Sequence, residues 1–230
     1  MIDRRAFLRG VVVAGLASGR PWRAQASEPG AVAEDWREAA LGATGVPAGW
    51  RPYETPGGRP AYDFTIVTDD GRRALRLRSA SEHSTIAKEI PMRLTATPVL
   101  RWDWKVVKFP EGADLREKST SDATGHLFVI WPRFPAMVRS QLIGYVWDPS
   151  LPVGTILKSR KTGMVTFIVA RSGTARSGQW ATDERSVAED YRRVFGESGP
   201  DPQAIALSID TNDTRSSAEA LFGRIAFIAR

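Results

Sequence analysis

Residues 99–108, VLRWDWKVVK, decide the fold because apolar and charged side chains alternate along them. Successive side chains of an extended strand point to opposite faces. One face would carry Leu100, Trp102, Trp104 and Val106. Two tryptophans at i and i+2 each bury on the order of 150–250 Å², enough to anchor the packing of one sheet on another. The stretch therefore predicts a strand with one face in a core and one polar face.

Short runs rich in β-branched and aromatic residues recur along the chain, and turn residues separate many of them. They predict strands at Tyr62–Val67, Ala74–Ser79, Thr85–Ile90, Val99–Val107, Thr124–Trp131, Leu142–Trp147, Met164–Arg171, Ile205–Asp210 and Gly223–Ile228. So many strands with almost no helix between them favour an all-β fold, an antiparallel jelly-roll-like β-sandwich, over a parallel fold that needs crossover helices. Apolar residues at helical spacing predict one inserted helix or ordered loop near 183–195, with Gly196 as its end.

The first 26 residues resemble a twin-arginine export signal. A charged opening that contains Arg4-Arg5 precedes the apolar run Val11–Ala17 and the small residues of Ala24-Gln25-Ala26. The apolar run is shorter than the ~20 residues that span a bilayer. We therefore expect a signal peptide at 1–26, no stable membrane span after its cleavage, and a periplasmic or secreted protein.

After the signal, the sequence predicts an N-terminal lead-in at 27–49, with a short helix at Ala33–Leu41, and a single β-sandwich domain at 50–230. The net charge of +6 falls to +2 without residues 1–26, and the remaining charges of both signs are interspersed. Nucleic-acid binding usually needs a basic face or stripe, so we expect none. The absence of cysteine excludes disulfides and thiolate chemistry.

Several motifs lie between Trp50 and Ile228: Ala74-Leu75, LRWDWKV at 100–106, Asp122 before a strand, Tyr145-Val146-Trp147, ARSG at 170–173, WATDERSVAEDYRRVFGE at 180–197 and DTNDT at 210–214. Together they resemble the bacterial family called domain of unknown function 3047. The chain departs from that pattern at 123–126, ATGH, where a run ending in Ala-Arg is more usual. The resemblance implies no established activity. By strand order the family is similar to galactose-binding-like and carbohydrate-binding-module sandwiches, which is an analogy of fold.

The loop DTNDT at 210–214 is the first candidate site. Its carboxylates, Asp210 and Asp213, are oxygen donors of the kind that calcium prefers. The alternative is an ordinary turn, because Asp, Asn and Thr side chains also bond their own backbone. A structural calcium ion is thus the one cofactor that the sequence suggests.

The second candidate is the segment 180–193, in which aromatic and charged residues are mixed. An aromatic ring can stack on a sugar ring while charged groups bond its hydroxyls. This predicts a ligand site that contains Trp180, Arg185 and Tyr191, together with Arg171 from the ARSG motif. The alternative is that the apolar residues plug the sandwich and the charges face water.

The polar face of the 99–108 strand is a third candidate. Arg101, Asp103 and Lys105 could meet Arg76 and Arg78 to form a ligand surface. They could equally form a cross-strand ladder of opposite charges, worth ~0.2–1 kcal/mol per pair.

For catalysis, the sequence carries two histidines and no nucleotide-binding or serine-hydrolase motif. Two-carboxylate glycoside chemistry remains, with Glu184, Asp190 and Asp122 as its main candidates. Asp210 is also available, and His126 could act as a general base or be a packed side chain. The leading hypothesis is a non-catalytic sandwich that binds a glycan or another envelope component. The competing hypothesis is a glycan-active hydrolase or lyase on the same scaffold.

Overall fold

The computed structural model describes residues 31–53, 60–133 and 139–229, and within these ranges it contains strands and one α-helix. The strands are β1 (Ala31–Glu34), β2 (Arg51–Pro52), β3 (Asp63–Asp69), β4 (Arg72–Ala80), β5 (His83–Glu89), β6 (Val99–Lys108), β7 (Ala123–Trp131), β8 (Gln141–Asp148), β9 (Ile156–Lys158), β10 (Val165–Ser172), β11 (Ala181–Ser186), β12 (Ala204–Asp210) and β13 (Ser217–Ile228). The helix is α1 (Val187–Phe195). The predicted export signal at 1–26 lies outside the described residues. In the described part of the chain, no helix has the length and apolar character that a membrane crossing requires.

The strands form two sheets, which confirms the predicted β-sandwich. Sheet A has the order β11-β6-β13-β4-β3, and β1 pairs with the end of β13. Sheet B has the order β2-β5-β12-β7-β8-β10-β9. One pair departs from the antiparallel expectation, because β8 and β10 run parallel. The 16 residues between these two strands are long enough for the crossover that a parallel pair needs.

The core lies between the two sheets and is built on β6, as predicted. Trp102 stacks on Tyr145 of β8 with ring centroids 5.2 Å apart. Trp104 lies against Trp147, 5.7 Å from it. All four side chains are buried. The alternation read in residues 99–108 therefore places both tryptophans at the contact between the sheets.

The helix predicted at Ala33–Leu41 is wrong. Residues 31–34 instead form β1, which pairs with β13, and the chain then bends at Trp36, whose φ is +61°. Trp36 is buried, its Nε1 donates to the carbonyl of Gly223 (2.9 Å), and its ring stacks on Trp50 at 5.5 Å. Burial of these two indole rings against β13 outweighs the local helix preference. The predicted lead-in thus contributes to the core.

The insertion predicted near 183–195 is half strand and half helix. Residues 181–186 pair with β6, with Asp183 opposite Trp102. The helix begins only after Ser186, whose hydroxyl caps it by accepting from the backbone N–H of Glu189. It ends at Gly196, in the left-handed conformation, as predicted. Strand pairing at the edge of sheet A decides the conformation of the first half.

Strand pairing also adds elements that the sequence did not predict. The short strands β1, β2 and β9 lie at sheet margins, and β13 begins at Ser217 rather than at Gly223. Each of the three short strands is held by hydrogen bonds to a longer neighbouring strand, so its own sequence shows little of the alternation that predicts a strand.

Candidate functional site

The outer face of sheet B, which faces away from the tryptophan core, carries a cleft of about 340 Å³. We call it the sheet B cleft. The described residues that line it are Tyr53, His83, Thr85, Ser121, His126, Phe128, Leu142, Ser159, Lys161, Thr162, Val165, Phe167, Ala206, Ser208, Asp210 and Asn212. They come from five strands and four connecting segments, and strand alternation brings the strand residues to one face.

Aromatic rings form the floor of the cleft. The imidazole of His126 stacks on Phe128, with centroids 5.1 Å apart and planes 17° apart, and lies 5.3 Å from Phe167. Gly144, on the neighbouring strand β8, makes room for this packing. A Cβ at Gly144 would lie only 2.6 Å from the Phe128 ring. The missing side chain thus leaves the space that the Phe128 ring occupies.

Hydroxyl and imidazole groups from β5 and β12 form a polar wall. The register of the two strands places Ser208 opposite Thr85 and Asp210 opposite His83. His83 Nε2 lies 2.8 Å from Thr85 Oγ1 and 3.1 Å from Ser208 Oγ. Thr85 donates its hydroxyl proton to Ser208 (2.7 Å). The three groups hold one another in fixed positions before any ligand arrives.

Both histidines of the cleft are neutral at physiological pH. Burial and, to a lesser extent, the nearby Lys161 lower the pKa of His83 to about 4. Burial also lowers the pKa of His126 to about 3, with smaller contributions from His83 and Lys161. Within the described chain, His126 Nδ1 is buried without a hydrogen-bond partner. The floor thus contains a buried polar atom without a partner, although buried polar atoms normally have one.

An ion-pair cluster closes one end of the cleft. Lys161 Nζ lies 3.2 Å from Asp210 Oδ2 and 3.3 Å from Asn212 Oδ1, and it also contacts the carboxylate of Asp213. Burial raises the pKa of Asp210 to about 7, against the opposing effect of Lys161. Burial would lower the pKa of Lys161, but Asp210 and Asp213 together raise it. The ammonium group is therefore held between two carboxylates.

This cluster occupies the loop for which calcium was predicted. Lys161 lies among the oxygens that the calcium hypothesis assigns to the ion. Asp122 lies behind the loop and accepts from the backbone N–H groups of Asp213 (3.2 Å) and Thr214 (2.7 Å). In the described residues, no group of three or more acidic, histidine or cysteine side chains is arranged to hold a metal ion. Calcium binding at Asp210 and Asp213 stays a prediction.

Of the predicted site residues in 180–193, Asp190 and Tyr191 lie on the inner face of α1, and Arg185 on β11 pairs with Asp190. Tyr191 is buried, packs on Trp131 with centroids 4.8 Å apart, and donates its hydroxyl proton to Gln141 (2.6 Å). Asp190 is also buried, where it accepts from Arg185 Nε (2.8 Å) and from the hydroxyl of Tyr145 (2.9 Å). These contacts fasten α1 to the sandwich and explain the aromatic and charged composition of the segment.

The remaining predicted site residues lie on or beside β10 and β11. Glu184 is on β11 of sheet A, Trp180 directly precedes that strand, and Arg171 is on β10 of sheet B. Glu184 is half exposed and pairs with Arg101 at 3.4 Å, so it is not brought together with the buried Asp190. Trp180 donates from Nε1 to Asp69 (2.7 Å). Arg171 forms two 2.9 Å bonds to Asp183.

The polar face of β6 forms the cross-strand ladder that was weighed against a ligand surface. Arg101 pairs with Glu184, Asp103 with Arg72 at 3.5 Å, and Lys105 with Asp69 at 2.7 Å. The charges on this face are thus matched across strands.

Most residues of the sheet B cleft were missed in the sequence. One signal was available: along β5 and β12 the outward positions change from alanine and glutamate at one end to hydroxyl, imidazole and carboxylate groups at the other. No local pattern marks Lys161, because it reaches the cleft from a turn between β9 and β10.

Residues 48–226 match the family described as "Protein of unknown function (DUF3047)". Comparison with curated proteins finds no match. Among solved structures, the family 11 carbohydrate-binding module of cellulosomal cellulase Lic26A-Cel5E of Clostridium thermocellum is similar at 12% identity and a TM-score of 0.47, covering 89% of this chain and 97% of that one. The family 30 carbohydrate-binding module of cellulase Cel9D-Cel44B of the same organism has 10% identity and a TM-score of 0.46, covering 81% and 95%. The xyloglucanase domain of NopAA from Sinorhizobium fredii has 10% identity and a TM-score of 0.42, covering 83% and 97%.

Proposed function

We propose that this chain, which belongs to the family described as protein of unknown function (DUF3047), binds a glycan or glycan-like envelope component. The ligand would lie in the sheet B cleft and be left chemically unchanged. The proposal places the protein in the periplasm or outside the cell, because its first 26 residues resemble an export signal.

The observation that carries the proposal is the pairing of an aromatic floor with a polar wall in one cleft. A sugar ring has an apolar face of C–H groups and a rim of hydroxyls. The rings of Phe128, Phe167 and His126 suit the apolar face. The fixed groups of Thr85 and Ser208 suit the hydroxyl rim.

The placement of the carboxylates favours binding over hydrolysis. Two-carboxylate glycoside chemistry needs two such groups ~5–9.5 Å apart across the substrate. Asp210 is the sole carboxylate among the described residues that line the cleft. Asp190 is buried on the inner face of α1, and Glu184 lies on sheet A. A glycan-active hydrolase or lyase remains the competing hypothesis, to be tested by its products.

Thermal unfolding of the purified protein against a panel of envelope and plant glycans tests the proposal. A ligand at ten times its Kd adds about 1.4 kcal/mol to the free energy of unfolding, which raises Tm by roughly 3–6 °C in a domain of this size. We expect one glycan class to give this shift without new reducing ends or unsaturated products. Release of such products would favour the enzyme, and an unchanged Tm with every glycan would reject both sugar hypotheses.

A matched pair of variants locates the site. Tyr53 is exposed and lines the cleft. We expect Tyr53→Ala to weaken binding about tenfold, equivalent to about 1.4 kcal/mol, through loss of ring contact with the sugar. Leu41 is exposed near β3 of sheet A, because Gly42 bonds to Ile66 there. Leu41→Ala should leave the affinity unchanged. Equal losses in both variants would move the site away from the cleft.

A further inference from the structure

We propose that the sheet B cleft selects uncharged glycans and rejects acidic ones, such as polymers of uronic acids. The inference rests on the proposed function, since it specifies the ligand class of the same cleft. It is carried by the arrangement of charged and neutral groups around the cleft.

In the part of the cleft that the structure describes, no cation is left unmatched to receive an anionic sugar. Among its described lining residues, Lys161 is the one lysine or arginine side chain. Its ammonium group already contacts the carboxylates of Asp210 and Asp213. A third carboxylate, Asp122, lies directly behind these two and bonds to the backbone of Asp213. The charged end of the cleft therefore carries more negative than positive charge.

The histidines do not change this balance. His83 is half-buried and His126 is buried, and their pKa values of about 4 and about 3 keep them uncharged at neutral pH. An acidic sugar would lose water on entering the cleft, gain no opposite charge, and lie close to Asp210. Juxtaposed like charges are a common device for rejecting a wrong partner.

The polar atoms that are left suit hydroxyl groups. Thr85, Ser208 and His83 line the cleft and hold one another through hydrogen bonds. A hydroxyl can both donate and accept, so a sugar hydroxyl can pair with these groups in either role. A carboxylate only accepts.

Matched polymers test the inference. Each neutral glycan, a glucan, a mannan and a galactan, is compared with the same polymer after oxidation of its C6 hydroxyl to a carboxylate. Affinities are measured by calorimetry at pH 8, where Asp210 is ionised. We expect at least one neutral polymer to bind and its oxidised form to bind about tenfold more weakly or worse.

The outcomes separate the two proposals. An oxidised polymer that binds as tightly as its neutral parent, or more tightly, would overturn the charge selection and leave glycan binding in place. If no polymer of either kind binds, the proposed function itself fails, and the charge selection fails with it.

Two variants identify the responsible charge. Asp210→Asn removes a carboxylate from the cleft, so the ratio of acidic to neutral affinity should rise at least several-fold. Asp213→Asn serves the same purpose if the first variant does not fold, because Asp213 also contacts Lys161. Asp70→Asn is the control: it makes the same charge change in the exposed turn between β3 and β4, beside Lys105. An equal rise in the control would assign the effect to net charge and overturn the inference.

Discussion

The outer faces of the two sheets are made from the same kind of alternating strand, yet they differ in what their polar residues do. On sheet A the charges pair across strands, as in Arg101 with Glu184 and Arg78 with Glu219 at 3.1 Å. On sheet B the outward positions include small residues, Gly144 and Ala206, beside aromatic rings and a hydroxyl network. A face whose long side chains pair with one another fills its own surface. A face that mixes small residues with aromatic ones leaves a cleft.

The difference also has an energetic side. Exposed ion pairs contribute about 0–1 kcal/mol each, because water screens them. Buried polar groups carry larger penalties and larger shifts in pKa. Changes on sheet B should therefore alter stability more, and with a stronger dependence on pH, than changes on sheet A.

Asp210→Asn should give the largest effect, and one that depends on pH. The raised pKa of about 7 means that between pH 4 and 7 the folded state holds a proton that the unfolded state has lost. The free energy of unfolding of the wild type therefore falls as the pH rises from 4 to 7. The variant lacks the carboxyl and does not lose this stability, so its free energy of unfolding rises relative to that of the wild type by roughly 2–4 kcal/mol, and the difference is constant above pH 7. The charged and titratable groups around this site are Lys161, Asp213, Asp122 and His83.

Urea unfolding of both proteins at pH 4.5 and pH 8 measures this difference. Asp70→Asn, in the exposed turn of sheet A, is the control and should show no comparable trend. A stability difference that is the same at both pH values would contradict the assignment of a buried, proton-holding carboxyl to Asp210.

Gly144→Val should destabilise the protein by up to about 3 kcal/mol, because the new side chain would collide with the Phe128 ring, only 2.6 Å from the position of its Cβ. It should also disturb the floor and weaken glycan binding. Gly163→Val is the control, since nothing lies within 4 Å of a Cβ there. Thermal unfolding of the two variants tests this. A lower Tm for Gly144→Val than for Gly163→Val would show that the Phe128 ring packs closely over Gly144, and similar Tm values would show that it does not.

His126→Phe should stabilise the protein most at acidic pH. The difference in free energy of unfolding between the variant and the wild type should be about 2 kcal/mol larger at pH 5 than at pH 8. The pKa of about 3 in the folded state lies below the ordinary value of 6.5, so the unfolded state binds an extra proton between these values and wild-type stability falls as the pH drops. Phenylalanine keeps the stack on Phe128 and removes the proton uptake. Calorimetric Tm values from pH 5 to 8 test this, and parallel curves for the two proteins would refute it.

Glu184→Gln should have the smallest effect, within about 0.5 kcal/mol, because its pair with Arg101 is half exposed on both sides. The variant should also bind glycans as the wild type does. A loss of more than about 1 kcal/mol in urea unfolding, or a loss of binding, would show that the outer face of sheet A is more than a ladder of weak ion pairs.

The sequence predicted those parts of the fold that neighbouring residues along the chain determine. The alternation in residues 99–108 identified β6 and its two core tryptophans, and Gly196 identified the end of α1. It failed at residues 183–186, whose strand conformation comes from pairing with β6. It also failed at Trp36, because burial against β13 is a contact between opposite ends of the described chain.

The site was harder to predict for the same reason. The segment 180–193 has the composition of a sugar site, but Tyr191 and Asp190 are buried by tertiary contacts. The sheet B cleft joins His83, Ser208 and Lys161, which become neighbours only through strand pairing and a turn. The spacing of these residues along the chain does not predict that they come together.

The central place of β13 in sheet A determines when folding can finish. It pairs with β4, β6 and β1, so the last strand of the described chain completes a sheet whose other members are translated earlier. Until residues 217–228 leave the ribosome, β4 and β6 each present an unpaired edge, which invites association with other chains. Contacts so distant in sequence also slow folding. The sandwich therefore cannot close before residues 217–228 have been synthesised, and a chain cut before Ser217 would retain both open edges.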